Sequence, residues 1–273
     1  MKSPKLVKKY HVFIETAFKE NKLNKTNIKL LLKSLYLTIK AFIKRERNVS
    51  SEIYSYESLF LVKLKDPVAF LESCRRNDNA FPEGIIGEVQ KLKNQVFNVE
   101  TLKTLEIGSG PNSNLSYWVD NNLLDVTAID PLADVYDKIM KKLNYKYPIT
   151  PIKLKAEELL EHFKKESFHI IFAQNSLDHV EDPIKCFNNA NYLLKKGGLL
   201  FVCSNIKEGT RKTWTGMHKF DIYVKNNELI LATQSGKEFR FINNRNMSLD
   251  FIFYEEYYIR NIKSFEAVFR KIK

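Results

Sequence analysis

The chain has 273 residues, 44% of them hydrophobic, with 44 Lys and Arg against 32 Asp and Glu and a formal net charge of +12. That length holds one large domain or a core with an appendage, and the apolar content supports a sizeable core. A charge this high favours anionic partners such as nucleic acid, phosphorylated metabolites or lipid headgroups, unless the Lys and Asn content merely reflects genome composition. Three scattered cysteines, Cys74, Cys186 and Cys203, exclude a disulfide framework or a zinc site and point to a reducing cytoplasm.

From Lys5 to about Asn98 the sequence reads as helices. The first eighteen residues, MKSPKLVKKYHVFIETAF, lack an uninterrupted apolar core with a cleavage site and do not form a secretory signal. Apolar residues at 28, 31, 32, 35, 39 and 42 recur at helical spacing, while Lys29, Lys33, Lys40 and Lys44 take another face. The segment Ile28 to Ile43 is therefore an amphipathic helix and not a membrane span. A membrane-surface role is the alternative for such a basic helix. Helix starts are expected at Asp66-Pro67, leading into Val68 to Arg75, and at Pro82, running through Ile85, Ile86, Val89, Leu92 and Val96.

The most informative stretch is Lys103 to Pro131. Leu105, Glu106 and Ile107 close an apolar run, Gly108-Ser109-Gly110-Pro111 breaks it, Asn112 to Asn121 suits a helix, and Val126 to Ile129 is a second run ended by Asp130. Strand, tight turn, helix, strand and acid make one half of a nucleotide-binding sheet. Glycine allows both the sharp turn and the close approach of a ligand to the backbone. A dinucleotide fingerprint needs a third glycine where Ser113 stands. Glu106 would crowd a pyrophosphate but suits an ammonium group, which turns the reading from NAD towards S-adenosylmethionine.

Further strands are expected near 150–154, 168–173 and 198–203, after 103–107 and 125–129, with helices near 112–121, 132–143, 156–164 and 182–195. Short apolar runs without alternation suit parallel strands covered on both faces. Gly197-Gly198 reads as a helix C-cap. His218 to Val224 and Glu228 to Thr233 read as a hairpin, and Arg260 to Ile272 as a closing helix.

Five stretches carry a resemblance to the class I S-adenosylmethionine-dependent methyltransferases: LEIGSGP at 105–111, AIDP at 128–131, AEEL at 156–159, SFHIIFAQNSLDHVEDP at 167–183 and LLKKGGLLFV at 193–202. They occur in the family's order across roughly a hundred residues. The resemblance implies an α/β fold, a Rossmann-like, doubly wound, mostly parallel seven-stranded sheet with an N-terminal all-helical extension. Residues 1–98 would form a lid or dimerisation region, and 99–273 the cofactor-binding core with its C-terminal hairpin and helix. S-adenosylmethionine would meet Glu106 through its ammonium, the backbone of Gly108, Ser109 and Gly110 through its methionine part, and Asp130 through the ribose. Pro131 and Leu132 would lie beside adenine, Ala156 and Glu157 at its edge, and Gln174, Asn175 and Ser176 beneath the methyl group. Relatives often carry Asp where this chain has Lys155.

The run LDHVEDP at 177–183 resembles the LEHVxDP of small-molecule methyltransferases. Methyl transfer to a hydroxyl needs a base, which makes His179 a candidate, with a structural histidine as its alternative and His218 as the second candidate. Ubiquinone-pathway relatives bind a divalent metal through a Glu at the position of Asn175 together with the acid and histidine that follow. Without that carboxylate no metal is expected here. In Lys207 to Phe220, Arg211, Lys212, Trp214, His218 and Lys219 are candidates to hold a phosphate or stack a ring.

The expected function is a cytoplasmic methyltransferase acting on a hydroxyl of a small, anionic acceptor, phosphorylated or nucleotide-linked, with a possible homodimer through the N-terminal helices. An RNA methyltransferase is the alternative suggested by charge, although Gln174-Asn175-Ser176-Leu177 replaces the loop usual in base-methylating enzymes. A non-catalytic binding protein is the third reading.

Overall fold

The computed structural model describes residues 49–241, 249–259 and 261–272, together with 25, 26, 28–30, 32, 33 and 36. The expected helix over Ile28 to Ile43 is helical at its described positions, and its remainder lies outside the described residues. Helix α1 (Val49–Ser58) runs on through a wider turn to Lys63. Helix α2 (Pro67–Arg75) begins as expected, because Asp66 Oδ1 accepts the Ala69 N–H at 2.8 Å and Pro67 occupies the first turn, where no N–H is needed. Helix α3 (Glu83–Lys91) follows Pro82 and continues to Phe97.

The chain then enters β1 (Leu102–Ile107), α4 (Ser116–Asp120), β2 (Leu124–Ile129), α5 (Ala133–Leu143), β3 (Phe168–Gln174), α6 (Pro183–Leu193), β4 (Leu194–Asn205) and the single turn α7 (Glu208–Arg211). It ends in β5 (Asp221–Lys225), β6 (Glu228–Ala232), β7 (Glu238–Phe241), β8 (Leu249–Ile259) and β9 (Ile262–Lys271). Among the described residues, the central sheet has six strands in the order β2-β1-β3-β4-β9-β8, parallel through β4 and antiparallel beyond it.

Successive side chains of β3 alternate between two cores, as a strand's pleat requires. Ile171 and Ala173 join α6 residues Phe187 and Ala190 on one face, while Ile170 and Phe172 join α3 residues Ile85 and Val89 on the other. Helix α3, which precedes the expected boundary at 98, thus forms part of the layer over the sheet. All three cysteines are free. No helix among the described residues is long and apolar enough to cross a membrane.

Several expected elements take another form. The seventh strand, near 150–154, is reduced to one bridge in which Ile152 exchanges backbone hydrogen bonds with Ala128 and Asp130 across β2. Pro148 and Pro151 both precede Ile152, and a residue without an N–H cannot extend a ladder. The helix near 156–164 is a 3-10 segment, Ala156–Glu161. Gly197-Gly198 does not cap α6, because Leu194 is already extended. The pair instead lets residues 195–198 bulge from β4 against β3. A Cβ on Gly198 would come within 2.7 Å of the His169 carbonyl oxygen.

The hairpin at 218–233 forms as β5 and β6, but with β7 it builds a separate three-stranded sheet. That sheet lies on the α6 side, where Phe241 stacks on Phe187 at 3.9 Å. The antiparallel pair ending the main sheet is β8 and β9, so the expected closing helix over Arg260 to Ile272 is a strand. Phe265, Ala267 and Phe269 alternate into the core, and the buried Lys271 Nζ donates to the Asn191 and Leu194 carbonyls at 2.8 and 2.6 Å.

Candidate active site

Strand order reverses between β1 and β3: the connection from β1 leads outward to β2, and the chain then crosses back to β3. The C-terminal ends of those two neighbours open a crevice, the usual ligand position in such sheets. Gly108 leaves β1 with φ +70°, and the Gly108 and Ser109 N–H groups donate to the Ile129 carbonyl at 2.8 and 3.2 Å. From the end of β3, Ser176 Oγ donates to the Ile107 carbonyl at 2.7 Å. A Cβ on Gly108 would sit 2.3 Å from Ser176 Cβ, so only glycine lets the two turns close on each other.

Asp130, at the end of β2, binds this turn from the other side. Its Oδ2 accepts the Gly110 N–H at 3.0 Å and its Oδ1 accepts the Leu132 N–H at 2.8 Å. Burial pushes its carboxyl above the usual value, partly offset by these backbone donors.

One cavity is bordered by Gly108, Gly110, Asp130, Pro131, Leu132, Ala156, Glu157, Asn175, Ser176 and His179. Four expected residues do not border it. Ser109 is buried with its hydroxyl on the Gly110 carbonyl, and Gln174 has a buried, unpartnered Oε1. His218 stands behind His179. Glu106 lies under the turn, where Oε1 accepts the Asn114 N–H at 3.2 Å and the buried Oε2 has no partner.

Glu157 Oε1 accepts the Glu181 and Asp182 N–H groups at 2.7 and 3.1 Å, tying the 3-10 segment to the start of α6. Lys155 also borders the cavity. Residues that the sequence did not single out complete it: Glu52 and Tyr56 from α1, Tyr136 from α5, and Met217. The Tyr56 and Tyr136 rings meet edge to face at 5.1 Å. No motif marks them, because a helix far upstream reaches the crevice only through folding.

At the other end, a short 3-10 turn, Leu177–His179, presents Asp178 and His179. His218 Nδ1 lies 2.6 Å from Asp178 Oδ2 and 3.1 Å from His179 Nε2. The backbone clamps these residues, since the Lys219 N–H donates to the Asp178 carbonyl at 2.8 Å and the His179 N–H to the Ser176 carbonyl at 3.1 Å. The two histidines, read from sequence as separate candidates, are thus one cluster.

The rest of Lys207 to Phe220 turns away from an anion-binding role. Arg211 pairs with Glu208, Lys219 with Glu181, and the Trp214 ring covers Gly209. Among charged lining residues, Glu52, Asp130, Glu157 and Glu181 face a single lysine, Lys155. The cavity is acidic although the chain is basic.

Burial lifts the Glu106 carboxyl from 4.5 to about 7, with smaller opposing hydrogen bonds to Ser113 and Asn114. The native state therefore keeps this proton while the unfolded chain loses it, so stability falls as pH rises from about 4.5 to about 7. The shift corresponds to about 3 kcal/mol. Glu106→Gln is expected to flatten the loss of stability between pH 5 and 8, measured by urea unfolding. An unchanged slope would reject this origin.

Residues 105–202 match the family model of a methyltransferase domain. No curated protein matches the chain. Among solved structures, the chain is similar to the 1,6-didemethyltoxoflavin-N1-methyltransferase of Burkholderia thailandensis with bound 1,6-didemethyltoxoflavin and S-adenosylhomocysteine, at 11% identity over 75% of this chain and 86% of that one, with a TM-score of 0.42. It is also similar to the N-methyltransferase NodS of Bradyrhizobium japonicum, at 16% identity over 72% and 99% of the two chains, with a TM-score of 0.43.

Proposed function

We propose that the protein, whose residues 105–202 match the family model of a methyltransferase domain, uses S-adenosylmethionine to methylate a hydroxyl oxygen of a small, uncharged acceptor held at the His179 end of the cavity. The observation that carries this reading is the continuity of one cavity from Gly108 and Asp130 to His179 and Met217.

The cofactor supplies a methyl group already activated on a sulfonium sulfur, so the chain's task is alignment and exclusion of water, with no covalent residue. Gly108 and Gly110 admit the methionine part against their backbone. The lone pairs of Asp130 left over from Gly110 and Leu132 accept the ribose hydroxyls, and Pro131 and Leu132 flank adenine. Helix α1 covers the cavity with Glu52 and Tyr56, a lid role for part of the N-terminal region.

With S-adenosylmethionine bound as methyl donor, the Asp178, His179 and His218 cluster would stand at the acceptor oxygen, where the hydroxyl proton leaves. The four carboxylates of the lining disfavour a phosphorylated acceptor, the class suggested by net charge, and suit a cationic cofactor with an uncharged partner.

Incubation of the full chain with S-adenosylmethionine and a metabolite extract, read by mass spectrometry, is expected to yield S-adenosylhomocysteine and an O-methylated product without phosphate. Methylation confined to phosphorylated compounds or RNA would reject the proposed acceptor class. In the same assay His179→Ala is expected to lower turnover by about 100-fold while cofactor affinity stays within about twofold. Full turnover in that variant would remove the cluster from the reaction.

A further inference from the structure

We propose that Asp178, His179 and His218 together hold a divalent transition-metal cation, of the zinc, cobalt, manganese or iron(II) class, at the acceptor end of the cavity. Their ligand atoms form a closed triangle: Asp178 Oδ2 to His218 Nδ1 is 2.6 Å, His218 Nδ1 to His179 Nε2 is 3.1 Å, and His179 Nε2 to Asp178 Oδ2 is 3.4 Å.

Hydrogen bonding serves this triangle poorly. A neutral imidazole carries one N–H, so once His218 Nδ1 donates to Asp178, its only hydrogen is engaged. His179 Nε2 is then left beside a donor already used and an oxygen beyond good hydrogen-bond length. Three ligands around one ion at about 2.1 Å stand about 3.0 Å apart on an octahedral face and about 3.4 Å apart in a tetrahedron. The two longer sides agree with this range, and the short side needs to open by only a few tenths of an ångström.

Burial points the same way. Asp178 is 1% exposed, and a buried carboxylate requires a cationic partner or several donors. Lys219, whose backbone N–H donates to the Asp178 carbonyl, directs its ammonium to Glu181 instead. Two imidazoles with one carboxylate favour a transition metal over magnesium or calcium, which prefer all-oxygen shells. Three protein ligands leave coordination positions unfilled, as reactive rather than structural sites require, and one of the three, His179, borders the cavity.

Asn175 supplies no ligand, because its Oδ1 accepts the Asn205 N–H at 3.0 Å. The third ligand comes instead from His218, at the entrance to β5, fixed by the backbone bond from Lys219 to Asp178. With Asn175 in place of a carboxylate, the loop after β3 by itself offers only two ligands, Asp178 and His179.

An ion here would lie beside the acceptor oxygen and acidify its hydroxyl, so that the proton passes to water as O–CH3 forms and S–CH3 breaks, without redox change. This role rests on the proposed methyl transfer. Ion binding does not.

The full chain, stripped with a chelator and dialysed, would be titrated with Co2+ in the absence of cofactor. One ion per chain is expected, with visible ligand-field absorption and two of the 5 histidines showing paramagnetically shifted imidazole protons. His218→Ala and Asp178→Asn are expected to weaken binding by about 100-fold or more, with circular dichroism checking their fold. Lack of stoichiometric Co2+ binding, fewer than two shifted histidines, or undiminished affinity in a folded His218→Ala variant would overturn the proposal. Should a variant fail to fold, the histidine count in the unmodified chain still decides. Cofactor titration of the metal-free chain separately tests the methyl-transfer reading, so the two can fail independently.

Discussion

Asp130→Ala is expected to weaken S-adenosylmethionine binding by at least about 100-fold in isothermal titration. Hydrogen bonds to a charged group contribute about 1.5–3 kcal/mol each, and two ribose hydroxyls would lose theirs together. Every 1.4 kcal/mol is about tenfold in affinity, so the direct loss spans about two to four orders of magnitude. The truncation also releases the Gly110 and Leu132 N–H groups, which the carboxylate holds at 3.0 and 2.8 Å. The cradle therefore loosens as its polar contact disappears. Asp130→Asn keeps one acceptor oxygen but turns the other into a donor facing a donor, and its affinity should fall between the two. Equal affinity in the alanine variant and the unmodified chain would end the ribose assignment.

Gly108→Ala is expected to destabilise the fold by about 2–5 kcal/mol in urea unfolding and to abolish cofactor binding at ordinary concentrations. An alanine held at φ +70° costs about 1–2 kcal/mol. Its Cβ, 2.3 Å from Ser176 Cβ, must push the ends of β1 and β3 apart, at a typical overpacking cost of about 1–3 kcal/mol. These two contributions separate experimentally. Adding Ser176→Gly removes the collision but not the backbone strain, and it also deletes the bond to the Ile107 carbonyl. The double variant should therefore recover part of the lost stability. A single variant as stable as the parent would show that the two turns do not meet in this way.

Both experiments concern residues that were visible in the amino-acid order, and there is a reason for that. Gly108, Gly110 and Asp130 lie within one strand, turn, helix and strand unit, whose shape follows from neighbouring residues: apolar runs make strands, glycines make the turn, and the acid ends the next strand. The same local logic located β1, β2, β3 and α5, along with the start of α2 at Asp66. It failed where identity depends on a distant partner. Ile262 to Lys271 carries apolar residues compatible with helix or strand, and pairing with both β4 and β8 selects the strand. The hairpin at β5 and β6 was legible, but its departure from the main sheet was not, because two antiparallel hairpins compete for one edge and the longer β8 and β9 occupy it.

The cavity divides along the same line. Its cofactor half is spelled out by short motifs between positions 105 and 183. Its cover, Glu52 and Tyr56, and the meeting of His218 with Asp178 and His179 over about forty residues exist only once the sheet is assembled. Local order dictates which backbone turns form, since those depend on steric freedom a few bonds away. The convergence of side chains from separate segments depends on how buried surfaces pack across the whole molecule, and only the folded chain decides it.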